Sequence, residues 1–171
     1  TNMIMTETLF GGRLVLNAHA AGVTAVRRLL PEQASDRAET IVDDAAETAE
    51  LLASAACQLQ LYFSGQLRQF NLPLAPVGTP FQLAVWTALR QIPYGATVSY
   101  HTVAERIGRP LAARAVGQAL HRNPLPIIIP CHRVIASDGR LHGFAWGTAW
   151  KQRLLQLEAA ALAQEAKTPL A

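Results

Sequence analysis

Apolar residues come in short bursts near the start of the chain and at helical spacing further on. Over residues 6–29, runs such as Leu14-Val15-Leu16 and Val23-Thr24-Ala25-Val26 are separated by the turn signals Gly11-Gly12 and Ala21-Gly22. That pattern predicts short strands. Residues 31–42 are polar and read as loop. A helix is predicted over 43–64. Asp43, Asp44 and Glu47 suit its N-terminal end and Gly65 its stop, while Leu51, Leu52, Ala55, Leu59, Tyr62 and Phe63 form one apolar face. Cys57 lies inside this helix with no histidine or acid adjoining it, and reads as a small core or boundary residue.

Residues 71–78, with Pro73, Pro76 and Gly78, read as a strand end followed by a linker. Thr79 then begins a strong helix signal: a capping hydroxyl, Pro80 at the first helical position, and Gln82 to complete a capping box. Phe81, Val85, Ala88 and Leu89 line one face, and Pro93-Tyr94-Gly95 ends the helix. Two short helices follow. Ser99 caps the first, with Val103, Ala104 and Ile107 inward and Gly108 as its stop. The second spans 111–121, with Ala112, Ala115, Val116, Ala119 and Leu120 for packing. Two helices across a short glycine-containing turn make a helix-turn-helix pattern, weak by itself. The apolar run 125–129 reads as a buried strand that ends in Cys131-His132. The alanine-rich tail from 159 is expected to fray.

The chain has 171 residues, enough for one domain or two small lobes, and half of them are hydrophobic, so a sizeable core is within reach. No run approaches the roughly 20 apolar residues of a membrane span, and residues 1–20 lack the basic start and apolar centre of a secretory signal. The net charge of +3 is unevenly placed. Residues 1–80 carry five arginines against eight acids, whereas residues 97–151 carry seven basic side chains against Glu105 and Asp138. A basic second half suits a polyanionic partner. There are two cysteines, far apart in sequence, which makes a disulfide framework or a cysteine-rich metal site a poor fit. Cys131 is then a candidate single reactive thiol.

Asn123-Pro124-Leu125-Pro126-Ile127-Ile128-Ile129-Pro130-Cys131-His132-Arg133-Val134 closely resembles the active-site stretch of the O6-alkylguanine-DNA alkyltransferases, also called methylated-DNA–protein-cysteine methyltransferases. The likeness extends upstream through Val98-Ser99-Tyr100 and Ala112-Ala113-Arg114-Ala115-Val116-Gly117. Downstream it takes in Gly139, Leu141, Gly143, Gly147, Lys151, Leu154-Leu155 and Glu158. It covers residues 79–158; the first half is similar only in outline. The resemblance implies an α/β (α+β) protein with an N-terminal ribonuclease H-like lobe (1–76) and a mostly helical C-terminal lobe (77–171). It implies direct, irreversible, one-time transfer of an alkyl group, chiefly methyl, from O6 of guanine to Cys131, with O4 of thymine left open.

The chemistry suits those residues. Dealkylating guanine calls for a soft nucleophile, and a thiolate is one. A free cysteine, with a pKa of about 8.5, is mostly protonated at neutral pH, so a base is needed. By resemblance that base is His132, acting through a water; side chains that alternate along an extended segment fit a bridging water better than direct contact. By resemblance too, Glu158 is the buried acid that orients His132, and Asn123 braces the active-site turn. A base within a duplex must be flipped out before a thiol can reach it. The resemblance assigns Arg114 to the gap left behind, Tyr100 to the flanking phosphate and guanine N3, and Ala113 with its small neighbours to close minor-groove approach. By the same resemblance, backbone groups at Cys131, Val134 and Ala145 read the base, and Phe144, Trp146 and Lys151 complete the substrate side. The implied partner is double-stranded DNA containing O6-alkylguanine, bound by a monomer, with cooperative assembly left open. No cofactor, metal or membrane is implied, and the implied compartment is the cytoplasm, or the nucleus in a eukaryote.

Three positions depart from the family pattern. Phe144 replaces a tyrosine and loses its hydroxyl, Ala145 stands where a small hydroxyl residue is common, and Trp146 stands where many relatives have glycine. Trp146 is expected to narrow the pocket in favour of methyl over benzyl-sized groups. The zinc of some relatives has only His19 and Cys57 to hold it here, too few for a four-ligand site. No cysteine-rich phosphotriester-sensing domain is expected. Two other classes stay open: a module that binds alkylated DNA without reacting, and a Cys–His hydrolase, which would turn over and would leave the helix-turn-helix unexplained.

Overall fold

The computed structural model describes residues 2–5, 12–29 and 46–167. The expected strand start at 6–11, the polar loop at 31–42, the acidic helix start at Asp43 and Asp44, and the last residues of the tail lie outside them. The chain divides into two compact units, one ending at Val77 and one beginning at Gly78. No helix of the described residues is long and apolar enough to cross a membrane.

The first unit holds an antiparallel meander of β1 (Asn2–Met5), β2 (Arg13–His19) and β3 (Gly22–Leu29), in the order β1-β2-β3. β1 precedes the region whose pattern predicts strands. Helix α1 (Ala46–Phe63) packs on β2 and β3 and buries Leu52, Ala55, Leu59, Tyr62 and Phe63, the predicted face apart from half-buried Leu51, together with Thr48, which the pattern does not include. Cys57 is exposed, against the core or boundary reading. At 3.6 residues per turn, position 57 points away from the line through Leu52, Ala55, Leu59 and Tyr62. Gly22 is required by a close approach: its φ is +148°, and a Cβ there would come within 2.6 Å of the Pro73 carbonyl. That approach lets Val23 bond Pro73 O and receive Ala75 N–H, each at 2.9 Å, so the 73–75 segment runs beside β3.

The second unit is mostly helical. Helix α2 (Pro80–Leu89) carries the full capping box, with Thr79 Oγ1 accepting from Gln82 N–H and Gln82 Oε1 accepting from Thr79 N–H. Val85, Trp86 and Leu89 are its buried residues, and Trp86 donates from Nε1 to Ala119 O at 2.9 Å, tying α2 to the fourth helix. Strand β4 (Val98–Ser99) leads into α3 (Tyr100–Arg106), where Ser99 Oγ accepts from Thr102 N–H at 3.1 Å. Helix α4 (Ala113–His121) starts later than the pattern predicts and has no side-chain cap. It buries Val116, Ala119 and Leu120, while Ala115, expected in the packing, is exposed and Ala112 is half-buried.

The segment 125–130 is not a strand. Prolines at 124, 126 and 130 cannot donate to a ladder, and the chain turns on itself, with Ile129 N–H bonded to Leu125 O at 2.9 Å. A short 3-10 turn (Cys131–Arg133) and β5 (Val134–Ile135) follow. β5 pairs parallel with β4, Val98 against Val134. Helix α5 (Thr148–Lys167) closes the unit. The alanine-rich stretch expected to fray is helical through Lys167. Alanine is the best helix former, and Leu162 sits so close to Gly95 that a Cβ there would lie 2.2 Å from it.

Candidate active site

The site grows out of the turn at 123–133. Asn123, 4% exposed, accepts Leu125 N–H at 2.9 Å and donates from Nδ2 to Ile129 O at 2.9 Å. These bonds hold Ile127 at a φ of +77°, a left-handed conformation that is strained for a β-branched residue. Asn123 Nδ2 also reaches Cys131 Sγ at 3.2 Å. The sulfur is fully buried. Because Cys131 and His132 sit on a 3-10 turn, the expected alternation of an extended segment does not apply; the turn sends the histidine toward α5 instead.

There His132 Nε2 meets Glu158 Oε1 at 2.7 Å, both side chains having no exposed surface. Arg133 comes to the same carboxylate, with Nη2 2.8 Å from Oε1 and Nε 3.1 Å from each oxygen. Gly95 N–H donates to Oε2 at 3.0 Å. Burial alone would raise the Glu158 carboxyl, but the hydrogen bonds from His132 and Arg133, together with the Arg133 charge, outweigh it and bring it down to about 2. Burial pushes the His132 imidazole below its ordinary value, against the pull of Glu158, so the ring is neutral at physiological pH. Burial likewise drives the Cys131 thiol up to about 11, although the Asn123 hydrogen bond and the Lys151 charge oppose it. The resting group is a thiol with a neutral imidazole as its neighbour in sequence.

The residues that the resemblance assigns to the substrate side come from α3, α4, β5, α5 and the loop 136–147. Tyr100, first residue of α3, donates its hydroxyl to His142 O at 2.7 Å. Gly143, at φ +71°, leaves room for that hydroxyl, since a Cβ there would lie 2.7 Å from it. Lys151 has no exposed surface and donates from Nζ to Val134 O and His142 O, with its charge 5.8 Å from the Tyr100 ring centre. It ties β5 to the 136–147 loop and does not reach solvent. Burial lowers its pKa to about 8. Phe144 is buried and Trp146 half-buried, their rings edge-on at 5.9 Å, and Trp146 meets Trp150 at 5.2 Å. Ala145 is exposed and Val134 buried. Arg114 and Gly117 of α4 line an open cleft of about 450 Å³ with Gln118, His121, Arg122 and Gly143. Ala113 stands half-buried at the start of that helix. Among the described residues, no group of three or more His, Cys, Asp or Glu side chains could hold a metal ion.

The residues carried by the resemblance all lie in the second unit, where hydrogen bonds join Asn123 to Cys131 and His132 to Glu158. Arg133 escaped the sequence reading. The signal for it was present: a charge within a run of buried residues must find a partner.

Fold and site define a helix-turn-helix protein with, among the described residues, one buried free thiol. Its relatives agree. The family of the 6-O-methylguanine DNA methyltransferase DNA-binding domain matches residues 80–160. A methylated-DNA–protein-cysteine methyltransferase of Methanosarcina acetivorans is 50% identical over 118 residues, 69% of this chain and 76% of that protein. The Mycobacterium leprae protein of the same name is 43% identical over 147 residues, 86% of each chain. The crystal structure of Mycobacterium tuberculosis OGT in complex with DNA superposes with a TM-score of 0.76 at 42% identity, covering 92% of this chain and 93% of that one. The chain belongs to the methylated-DNA–protein-cysteine methyltransferases.

Proposed function

We propose that this protein repairs DNA directly, by moving an alkyl group, chiefly methyl, from O6 of guanine onto Cys131. The observation that carries the reading is the buried thiol held by Asn123 beside a neutral His132 whose Nε2 is committed to Glu158. With Nε2 occupied, Nδ1 is the nitrogen left to take the thiol proton, through a bridging water. The thiolate attacks the alkyl carbon, an S–C bond forms as the C–O6 bond breaks, and the electron pair leaves with guanine. Glu158 stabilises the imidazolium for the duration of the step. Tyr100 donates to guanine N3 and makes the base a better leaving group. In the free protein its hydroxyl serves His142 O, so base entry exchanges one acceptor for another. Net, the thiol proton ends on guanine and the thioether stays, so each molecule reacts once.

The cleft on α4, lined by Arg114 and Arg122, supports contact with a phosphate-flanked minor groove, with Arg114 filling the space of the flipped base. Trp146, wedged against Phe144 and Trp150, narrows the site in favour of methyl. Intact mass spectrometry after incubation with a duplex containing O6-methylguanine tests the reading. One added methyl mapping to Cys131, and none in Cys131→Ser, is the expected result; tight lesion binding with no mass gain would make the protein a sensor instead. Equal rates with a benzylated duplex would remove the role given to Trp146.

A further inference from the structure

Glu158 is held more firmly than orienting one imidazole requires. One oxygen accepts from His132 Nε2 and Arg133 Nη2, the other from Gly95 N–H, and Arg133 Nε spans both. Arg133 is itself fixed: Nη1 donates to Ile92 O at 2.8 Å, and the guanidinium carbon lies 5.5 Å from the Tyr94 ring centre. Only 6% of the residue is exposed. A guanidinium is always charged, and its planar fork matches a carboxylate.

We propose that Arg133 is the positioning residue that sets the His132 tautomer. By pinning Glu158 as a permanent acceptor it keeps the hydrogen on Nε2 and leaves Nδ1 to receive the Cys131 proton. The inference rests on the alkyl-transfer reading of Cys131. An ionised carboxylate has no hydrogen to give, so at 2.7 Å from it Nε2 must be the donor. Without the guanidinium, a carboxyl buried this deeply would take up a proton far more readily. Protonated, it could donate to Nε2, turn the hydrogen onto Nδ1, and remove the base from the thiol. Glu158 is therefore an anchor and never the resting place of the reaction's proton. The titratable groups around this unit are His132 and Arg133 from the 3-10 turn and, on α5 itself, Lys151, whose charge also bears on His132. The loop after α2 contributes the Gly95 N–H and the Tyr94 ring.

Three preparations decide the matter: the wild-type chain, Arg133→Met and Arg133→Lys. Each is followed by the rate of methyl transfer from an O6-methylguanine duplex between about pH 5 and about pH 8, where imidazoles titrate, and by the ¹⁵N shifts of His132. In the wild type, neutral His132 carries its hydrogen on Nε2. In Arg133→Met the rate falls by about a hundredfold or more, the scale of a lost general base. Its loss on acidification begins at higher pH than in the wild type, and Nδ1–H tautomer appears. Arg133→Lys keeps the charge without the fork and lies between. An Nδ1–H tautomer in the wild type overturns the proposal, and that measurement needs no variant to fold. So does a rate loss in Arg133→Met that is equal at every pH with the Nε2–H tautomer retained, which is what a merely structural arginine would give. A wild-type chain that takes no methyl from DNA would sink the alkyl-transfer reading, while the tautomer measurement would still judge Arg133.

Discussion

The two cysteines of this chain show how far environment sets the character of a residue. Cys57 lies on the exposed face of α1, whereas Cys131 is sealed, bonded to Asn123 Nδ2, and raised to about 11 by burial. Reactivity toward a small reagent follows thiolate content and access. Iodoacetamide at neutral pH is therefore expected to label Cys57 in the folded protein and spare Cys131. Peptide mapping reads this out, and comparable labelling of both would contradict the buried, protonated resting thiol. His132, Asn123 and Glu158 were legible beside Cys131 because the family pattern carries them in order. Arg133 stands within that pattern, but the pattern assigns it no role. Its task depends on a carboxylate from a distant helix, so residues 130–134 show that the charge needs a partner but not which one.

At the level of elements, local signals were read well wherever the determining contacts are local. The α2 cap is the clearest case, since Thr79, Pro80 and Gln82 meet within one turn of chain. Thr79→Ala should cost about 1 kcal/mol by loss of the cap. Urea denaturation monitored by circular dichroism checks it, and an unchanged midpoint would mean that tertiary contacts alone hold the start of α2. The apolar run 125–129 was misread because periodicity cannot separate a buried strand from a buried turn. The prolines around it forbid a ladder, and Asn123 supplies the bonds that shape the turn. The sequence pattern starts the second helix of the helix-turn-helix too early and places Ala115 in the core for a related reason. Alanine and leucine are good helix formers anywhere, and which face of α4 is buried depends on what α2 and α3 set against it.

For the molecule as a whole, repair and stability share one site. Cys131 is packed without exposed surface under Asn123, so an added methyl must break the hydrogen bond to sulfur and displace neighbours. Overpacking of this kind costs about 1–3 kcal/mol. For a chain of this length each kcal/mol lowers the melting temperature by about 2–4 °C. Calorimetry of the free and methylated protein is expected to show the methylated form melting lower; coincident transitions would mean that the site has room for the product. Acid also acts through this unit. The Glu158 carboxyl is brought to about 2 from an ordinary 4.5. The stability it contributes is complete above the ordinary value and is lost as pH falls from there through the folded one.

By itself the sequence determined which chemistry is available here and where the chain must turn. One thiol beside one imidazole, small residues and arginines in a helix-turn-helix, and local caps and glycine stops are all properties of neighbouring residues. Only the tertiary structure decided the protonation of the site, the burial of Lys151, the exposure of Cys57 and the task of Arg133. Desolvation and charge pairing are set by groups that the fold brings together from distant parts of the chain, and no spacing along the sequence encodes those distances.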